Sequence, residues 1–171
     1  MANIEITQGD ITGLSVDALV CPAHKHLTRG RGLSDQVFDQ AGPELVDACS
    51  SALDCPVGEA RMTPGFHLPA RWIIHTVTPL WTGGDQWAGS EAGTLRHCYE
   101  SVLNLAKQQG LKSIAFPALG AGTNKTPHNL AAHIGLEMLH AYAASFERLI
   151  ICLRSDEALS IWKETQRAFY Q

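Results

Sequence analysis

The feature that most constrains this fold is a short apolar run that ends in a glycine-rich turn and leads directly into a helix. It is SIAFPALGAGTNKTP, residues 113–127. Ser113 to Ala118 is short and apolar, which predicts a buried strand. Thr126 suits a helix N-cap and Pro127 the first helical position, where its missing N–H is not needed. The backbone N–H groups of such a loop can face an anion, although an ordinary strand-to-helix connection explains the turn equally well.

Strand-like and helix-like stretches alternate along the rest of the chain. Apolar and β-branched runs predict strands at 4–7, 18–21, 60–63, 71–78 and 149–153. Apolar residues at helical spacing and helix-end signals predict helices at 34–41, 43–52, 91–109, 127–144 and from Ser155 onward. This alternation predicts an α/β layered fold with a largely parallel central sheet. Ligands of such folds bind at the carboxyl ends of the strands, where the Gly-Ala-Gly turn falls.

A second glycine loop lies near the start of the chain. CPAHKHLTRGRGLSDQ, residues 21–36, also follows a predicted strand, and Gly30 and Gly32 permit close backbone approach or a positive φ. The later loop matches neither known phosphate-binding pattern: both glycine positions of a Walker-type loop hold other residues, Leu119 and Asn124, and the dinucleotide pattern GxGxxG would need glycine where Lys125 stands. Two loops of this kind favour a cleft with a phosphate-binding wall on each side over two ordinary connections.

Size and composition narrow the class of protein. The 171 residues suffice for one hydrophobic core, and we expect residues 1–171 to form a single domain. A formal net charge of −4 argues against nucleic acid as a partner, because a phosphate-backbone binder shows a basic face. The N-terminus has no signal pattern and no apolar run approaches the ~20 residues that span a bilayer, so we expect a cytoplasmic protein without a membrane partner. The sequence leaves the oligomeric state open.

Neither a disulfide framework nor a metal site is expected. The five cysteines are scattered, odd in number and never spaced as CxxC, which predicts buried free thiols. Cys21, His24 and His26 are metal-ligand types, but three ligands in six residues without a second cluster do not complete a tetrahedral zinc site. We therefore expect no metal and no cofactor.

Two aromatic features have structural explanations. His75 alternates with apolar residues in WIIHTV, which predicts a hydrogen-bonded core histidine rather than a catalyst. Trp81 and Trp87 lie in a predicted loop, where they either shield a core edge or contact a partner.

Seven segments carry a family likeness when they are taken together. They are QGDIT (8–12), VDALV (16–20), the glycine loop at 29–33, AGPEL (41–45), CPVGEA (55–60), LPARWIIHTVTPLW (68–81) and SIAFPALGAGTNKTP (113–127). In this order and spacing they resemble the macrodomain family, and the likeness covers nearly all of the chain. The resemblance implies a three-layer α/β/α sandwich with a mixed, largely parallel central sheet of about six strands. It also implies that the partner is ADP-ribose or an ADP-ribosylated molecule.

The resemblance assigns roles to residues of this chain. Asp10 would accept a hydrogen bond from the adenine amino group beside the Ile11 backbone, whereas the residues alone would make Asp10 a turn or N-cap carboxylate. Main-chain N–H groups of the two glycine turns would hold the diphosphate through charge-assisted hydrogen bonds. The residues expected to contact the ligand are Asp10, Ile11, Ala23, His24, Gly30, Arg31, Gly32, Leu33, Ser34, Gly120, Ala121, Gly122, Thr123, Asn124 and Arg154.

The chain departs from hydrolytic members of the family at the positions that serve catalysis. Those members carry an Asn that holds the distal ribose and an Asp that activates water, and this chain has His24 and Ser34 there. Serine is a poor general base, so that route to hydrolysis is not supported. A histidine can act as a base near neutral pH, so His24 is a catalytic candidate, or it simply bonds a ribose hydroxyl. Asp35 is a second candidate, although one residue along a helix turns its side chain by about 100°.

Three further departures concern ligand contact. Where hydrolytic relatives have an aromatic after the loop glycine, this chain has Asn124, as in the non-catalytic macrodomain of a core histone variant. Where relatives stack an aromatic on adenine, it has Arg154, whose guanidinium plane either stacks on a base or lies at the surface. Arg31 replaces a family glycine and either narrows the cleft or adds charge to it. We therefore expect a protein that binds ADP-ribose. Two alternatives remain: an enzyme that hydrolyses ADP-ribosyl esters or O-acetyl-ADP-ribose, and an interaction module with a vestigial pocket.

Overall fold

The fold is built on a mixed sheet. The computed structural model describes residues 3–83 and 91–170, so Trp87 lies outside the described residues. Its strands are β1 (Asn3–Gln8), β2 (Ala18–Pro22), β3 (Ala60–Pro64), β4 (Trp72–Thr76), β5 (Ser113–Phe116) and β6 (Arg148–Leu153). The spatial order is β1-β6-β5-β2-β4-β3, and every neighbouring pair is parallel except β3 with β4. The expected largely parallel sheet of six strands is confirmed.

Helices cover both faces of the sheet. They are α1 (Leu33–Ala41), α2 (Glu44–Ser50), α3 (Glu91–Gln108), α4 (His128–Tyr142) and α5 (Asp156–Phe169). Residues of α1 and α2 belong to one hydrophobic core and residues of α3, α4 and α5 to another, which gives the three-layer α/β/α sandwich. In the described part of the chain, no helix combines the length and apolar character that crossing a membrane requires.

Alternate residues of the central strands build the two cores. On β5, Ile114 and Phe116 face the layer of α3, α4 and α5, and Ala115 between them faces α1 and α2. On β6 the same alternation places Ile151 in the first core and Cys152 in the second. All of these side chains are buried. Strands covered on both faces are apolar at consecutive positions, which is why their sequences show continuous apolar runs instead of alternation.

Helix α4 begins later than its sequence signals suggest. Its N-cap is Pro127 and no side chain caps it, so the predicted Thr126 cap is wrong. The Thr126 N–H instead donates to the Gly120 carbonyl at 2.8 Å, and the Thr126 side chain is buried. Thr126 therefore closes the glycine turn rather than starting the helix. Strand β5 also ends at Phe116, two residues before its predicted end.

Buried polar groups follow the sequence predictions. His75 is 1% exposed and its Nε2 lies 2.9 Å from the Thr63 hydroxyl, which confirms a hydrogen-bonded core histidine. Burial lowers the pKa of His75 to about 4. All five cysteines are buried free thiols, and burial raises the pKa of Cys21 to about 12.

The parallel strands bring their carboxyl ends to one edge of the sheet. Across that edge the ends follow the order β1, β6, β5, β2, β4. Helices α1, α4 and α5 are the next helices in the chain after β2, β5 and β6, so their N-termini lie near the same edge. This edge therefore collects loops and helix N-termini, the two sources of unpaired backbone N–H groups.

Candidate functional site

A cleft of about 920 Å³ runs along the carboxyl edge of the sheet. Its lining comes from the chain beyond β1, β6, β5, β2 and β4, which is the spatial order of those strands. Neighbouring strands lie about 4.8 Å apart, so five strand ends span roughly 19 Å. A slot of this length suits an extended molecule that contacts several loops in succession.

The first wall of the cleft is the turn that starts α1. Gly32 is the N-cap at φ 59°, a conformation that favours glycine, and no side chain caps the helix. Among the residues that the structure describes, the N–H groups of Arg31, Gly32, Leu33 and Ser34 have no hydrogen-bond acceptor. All four residues line the cleft. The turn therefore presents several donors, reinforced by the helix dipole, to whatever occupies the cleft.

Gly30 contributes space rather than a donor. Its N–H donates to the Ser34 hydroxyl at 3.1 Å, and Gly30 is not among the lining residues. The expectation that the Gly30 N–H is available for a ligand is therefore wrong. A Cβ at this position would lie 2.8 Å from Nε2 of His24, so a larger residue there would displace the His24 ring from the loop.

The second wall is the glycine turn after β5. Here Gly120, Gly122, Thr123 and Asn124 have N–H groups without an acceptor in residues 3–83 and 91–170. The Ala121 N–H donates to the Ala118 carbonyl at 3.1 Å, so this one predicted donor is not available. All five turn residues line the cleft.

A glycine requirement at Gly120 and three hydrogen bonds of Asn124 hold the second turn in place. Gly120 has φ 85°, and a Cβ there would lie 2.9 Å from the Thr126 hydroxyl, so the turn requires glycine. The Asn124 side chain donates to the Thr78 carbonyl at 2.9 Å and to the Thr78 hydroxyl at 2.7 Å. The Trp81 N–H donates in return to the Asn124 carbonyl at 2.8 Å. Asn124 therefore ties the glycine turn to the chain beyond β4 through its side chain.

The lining of the cleft is positive although the whole chain is negative. Among the described lining residues the charged side chains are Lys25, Arg31 and Arg154, with no aspartate or glutamate. The formal net charge of the chain is −4. The starts of α1, α4 and α5 also reach the lining, and each helix N-terminus carries roughly half a positive charge. The cleft is therefore suited to an anion.

A polar chain of contacts closes the end of the cleft beside β1 and β6. Asp10 is the N-cap of a short 3₁₀ helix, Ile11–Gly13, and its Oδ1 accepts from the Thr12 N–H at 2.9 Å. The same oxygen accepts from Gln36 Nε2 at 2.8 Å, and Arg154 donates to Gln36 Oε1 at 2.9 Å. Ile11 and Arg154 line the cleft, whereas the predicted ligand residue Asp10 is not among the lining residues, although its neighbours Gly9 and Ile11 are.

Comparison with known proteins identifies the family. The Macro domain family model matches residues 20–135. The chain belongs to the macro domain family. A macro domain-containing protein of Ralstonia nicotianae is 40% identical over 156 residues, which cover 91% of this chain and 90% of that protein. The ADP-ribose glycohydrolase MACROD1 of Bos taurus is 38% identical over 94% of this chain, which spans 50% of that protein.

Solved macro domains share the architecture. A mutant of the Oceanobacillus iheyensis macrodomain with ADPR superposes with a TM-score of 0.89 at 32% identity, covering 98% of this chain and 93% of the other. The Trypanosoma brucei macrodomain in complex with ADP-ribose gives a TM-score of 0.85 at 29% identity, covering 94% of this chain and 68% of that one. The three-layer sandwich of this macro domain is thus the fold of its relatives.

The two catalytic candidates of this macro domain lie in different settings. His24 is exposed and lines the cleft just beyond β2. Asp35 is not among the lining residues, and its Oδ1 accepts from Arg29 Nε at 2.6 Å on the exposed side of α1. Ser34 is 5% exposed and its hydroxyl is engaged by Gly30. The cleft therefore contains His24 but not Asp35.

The end of the cleft beyond β4 and some other lining residues were not predicted from the sequence. The lining residues beyond β4 that were not predicted are Val77, Thr78, Pro79 and Leu80, and Lys25 after β2 and Val57 before β3 were also not predicted. The strand prediction over 71–78 carried a usable signal, because a ligand edge in a parallel sheet includes the end of every parallel strand. No sequence signal would have identified Gln36, since its contacts join helix α1 to residues far away in the chain.

Proposed function

We propose that this macro domain binds ADP-ribose or a related NAD-derived metabolite, free or attached to an ADP-ribosylated target. The observation that carries the proposal is the convergence of unpaired N–H groups from two loops on one cleft whose charged lining is cationic. A diphosphate is the part of such a ligand that these donors match, because charge-assisted hydrogen bonds to backbone N–H groups are stronger than neutral ones. The ADP-ribose complexes of related macrodomains support the assignment.

The family resemblance gives the ligand a direction, because it implies that Asp10 accepts a hydrogen bond from the adenine amino group. The diphosphate would lie between the turns at 31–34 and 120–124, with adenine toward Asp10 and Ile11. The distal ribose would then lie toward His24 beyond β2. Lys25 and Arg31 would add positive charge to this half of the cleft.

Isothermal titration calorimetry with ADP-ribose tests the binding proposal. We expect saturable binding in the micromolar range, roughly −8 kcal/mol. The affinity should fall as salt concentration rises, because part of the attraction comes from exposed cationic side chains. AMP and ribose 5-phosphate serve as controls that carry the two ends of the ligand without the diphosphate linkage, and both should bind more weakly. Absence of saturable heat at millimolar ADP-ribose would rule out the proposal.

Hydrolysis of ADP-ribosyl esters or of O-acetyl-ADP-ribose is the second candidate function. It is favoured by the position of His24 on the cleft lining and by the likeness to a protein named as an ADP-ribose glycohydrolase. In this mechanism His24 would accept a proton from the attacking water beside the distal ribose. Asp35 receives no catalytic role, because its carboxylate is paired with Arg29 away from the cleft lining.

Turnover measurements on three variants separate catalysis from binding. If the protein is a hydrolase, His24→Ala should lower kcat by at least about a hundredfold, the usual contribution of a general base. Asp35→Ala should behave like Asp39→Ala, a matched control whose carboxylate faces the same arginine at 3.8 Å. A selective loss in Asp35→Ala would restore Asp35 as a catalytic residue. Wild-type inactivity on all ester-linked substrates would leave binding alone.

A further inference from the structure

The side-chain amide of Gln36 bridges two charged residues, Asp10 and Arg154, of which Arg154 lines the cleft. Its Nε2 donates to Asp10 Oδ1 at 2.8 Å, and its Oε1 accepts from Arg154 Nη1 at 2.9 Å. Gln36 lies on α1, whereas Asp10 follows β1 and Arg154 follows β6. One residue therefore joins three elements that meet at this end of the cleft.

The chemistry of the two partners determines the orientation of the amide. A carboxylate only accepts hydrogen bonds and a guanidinium only donates them. The Gln36 NH₂ must therefore face Asp10, and its carbonyl oxygen must face Arg154. A flipped amide would place donor against donor and acceptor against acceptor, so the bridge has one stable arrangement.

The bridge leaves Asp10 with one oxygen saturated and the other open. Oδ1 accepts from the Thr12 N–H at 2.9 Å, the Thr12 hydroxyl at 2.6 Å and Gln36. Within residues 3–83 and 91–170 no donor reaches Oδ2. Three donors on Oδ1 hold the carboxylate in one orientation. Oδ2 is therefore an oriented acceptor, and the Asp10 side chain loses little conformational entropy when a ligand binds.

Arg154 is restrained in a similar way. Gln36 holds its Nη1, and its backbone carbonyl accepts from Gln8 Nε2 at 3.2 Å. Its side chain is exposed except for this contact, and Arg154 lines the cleft. A guanidinium held at one nitrogen keeps its flat face available for stacking on a base.

We propose that Gln36 is a specificity-determining positioning residue, which holds Asp10 and Arg154 as a pre-arranged site for an amino-bearing purine. This inference rests on the proposed function, because it assumes that the ligand carries adenine at this end of the cleft. Gln36 itself does not line the cleft and acts through its two partners. The open oxygen of Asp10 reads the 6-amino group, and Arg154 covers the ring.

Two ligands and two variants test the proposal. The ligands are ADP-ribose and its analogue with hydrogen in place of the 6-amino group of the base. Calorimetry on the wild type should show a preference of at least about tenfold for ADP-ribose, because the analogue leaves the oriented carboxylate unpaired. Gln36→Met, which keeps the length of the side chain and loses both hydrogen bonds, should reduce that preference by about tenfold.

Gln40→Met is the matched control. Gln40 lies one turn further along α1, is exposed and does not line the cleft. It should keep both the affinity and the preference of the wild type. The preference ratio is the decisive measurement, because a general loosening of the loop would weaken both ligands equally and leave the ratio unchanged.

Each outcome supports or overturns the proposal. A reduced ratio in Gln36→Met with a wild-type ratio in Gln40→Met supports it. An unchanged ratio in Gln36→Met, or a wild type that binds both ligands equally, overturns it while ADP-ribose binding stands. A wild type that binds neither ligand removes the proposed function and this inference together.

Discussion

Gly122→Glu is expected to abolish ADP-ribose binding and to leave the fold intact. Gly122 lines the cleft, its N–H has no acceptor among the described residues, and a Cβ there would meet no atom within 4 Å. The new carboxylate would therefore occupy open space where the proposal places the diphosphate. Two like charges about 4 Å apart repel by about 4 kcal/mol near a protein surface, so the affinity should fall by more than about a hundredfold.

Gly13→Glu is the control for this change. Gly13 is exposed, does not line the cleft, and also has open space where a Cβ would stand. It adds the same charge to the chain without placing it in the cleft. Calorimetry should show near wild-type affinity for Gly13→Glu, and both variants should keep the wild-type circular dichroism spectrum and Tm. Wild-type affinity in Gly122→Glu would refute the diphosphate position. An interaction module would give a different result. In that case the wild type would not bind ADP-ribose, and Gly122→Glu would bind a protein partner as well as the wild type does.

The stability of this protein should fall between pH 7 and pH 5 because of His75. Burial lowers the pKa of His75 to about 4, whereas an unfolded histidine titrates near 6.5. Between these values the unfolded chain binds a proton that the folded chain does not, so the free energy of unfolding rises with pH. The stabilisation is therefore present above about pH 6.5 and is lost as the pH falls toward 4. The expected loss from pH 7 to pH 5 is about 2 kcal/mol.

Urea denaturation of two variants at both pH values checks the origin of this loss. His75→Gln keeps a group that can bond the Thr63 hydroxyl but has no proton to titrate, so its stability should change less with pH. Thr63→Val removes the hydrogen bond and keeps the buried ring, so its pH dependence should persist. Equal pH dependence in His75→Gln and the wild type would show that other groups cause the loss.

The electrostatics of the cleft explain how an acidic chain can bind an anionic ligand. The three cationic lining residues and the helix N-termini act over a few ångströms, whereas most acidic side chains lie on other surfaces, where water and salt screen them. A negative net charge is therefore compatible with binding of a single diphosphate in this cleft.

Local sequence signals were sufficient for the architecture and for the glycine turns. After their first residues, Ser113 and Arg148, the buried strands β5 and β6 are continuously apolar, and that pattern depends only on neighbours in the chain. Gly32 and Gly120 have positive φ, a requirement that a glycine in the sequence can satisfy by itself. One incorrect prediction also concerned a local contact. Thr126 has the chemistry of a helix cap, but its N–H donates to the Gly120 carbonyl and so closes the glycine turn.

Contacts that only the folded chain reveals decided the rest of the site. The sequence established an α/β fold with glycine loops at strand ends, because backbone geometry and burial leave periodic traces in a chain. The folded chain shows that the Ala121 N–H is occupied within its own turn and that Asp35 is paired with Arg29 away from the cleft lining. Only the tertiary structure decided that Gln36 joins Asp10 to Arg154, because these residues come from distant segments. The partner of such a side chain depends on which elements the sheet order brings together. Local sequence does not indicate that order, because the paired residues are far apart in the chain.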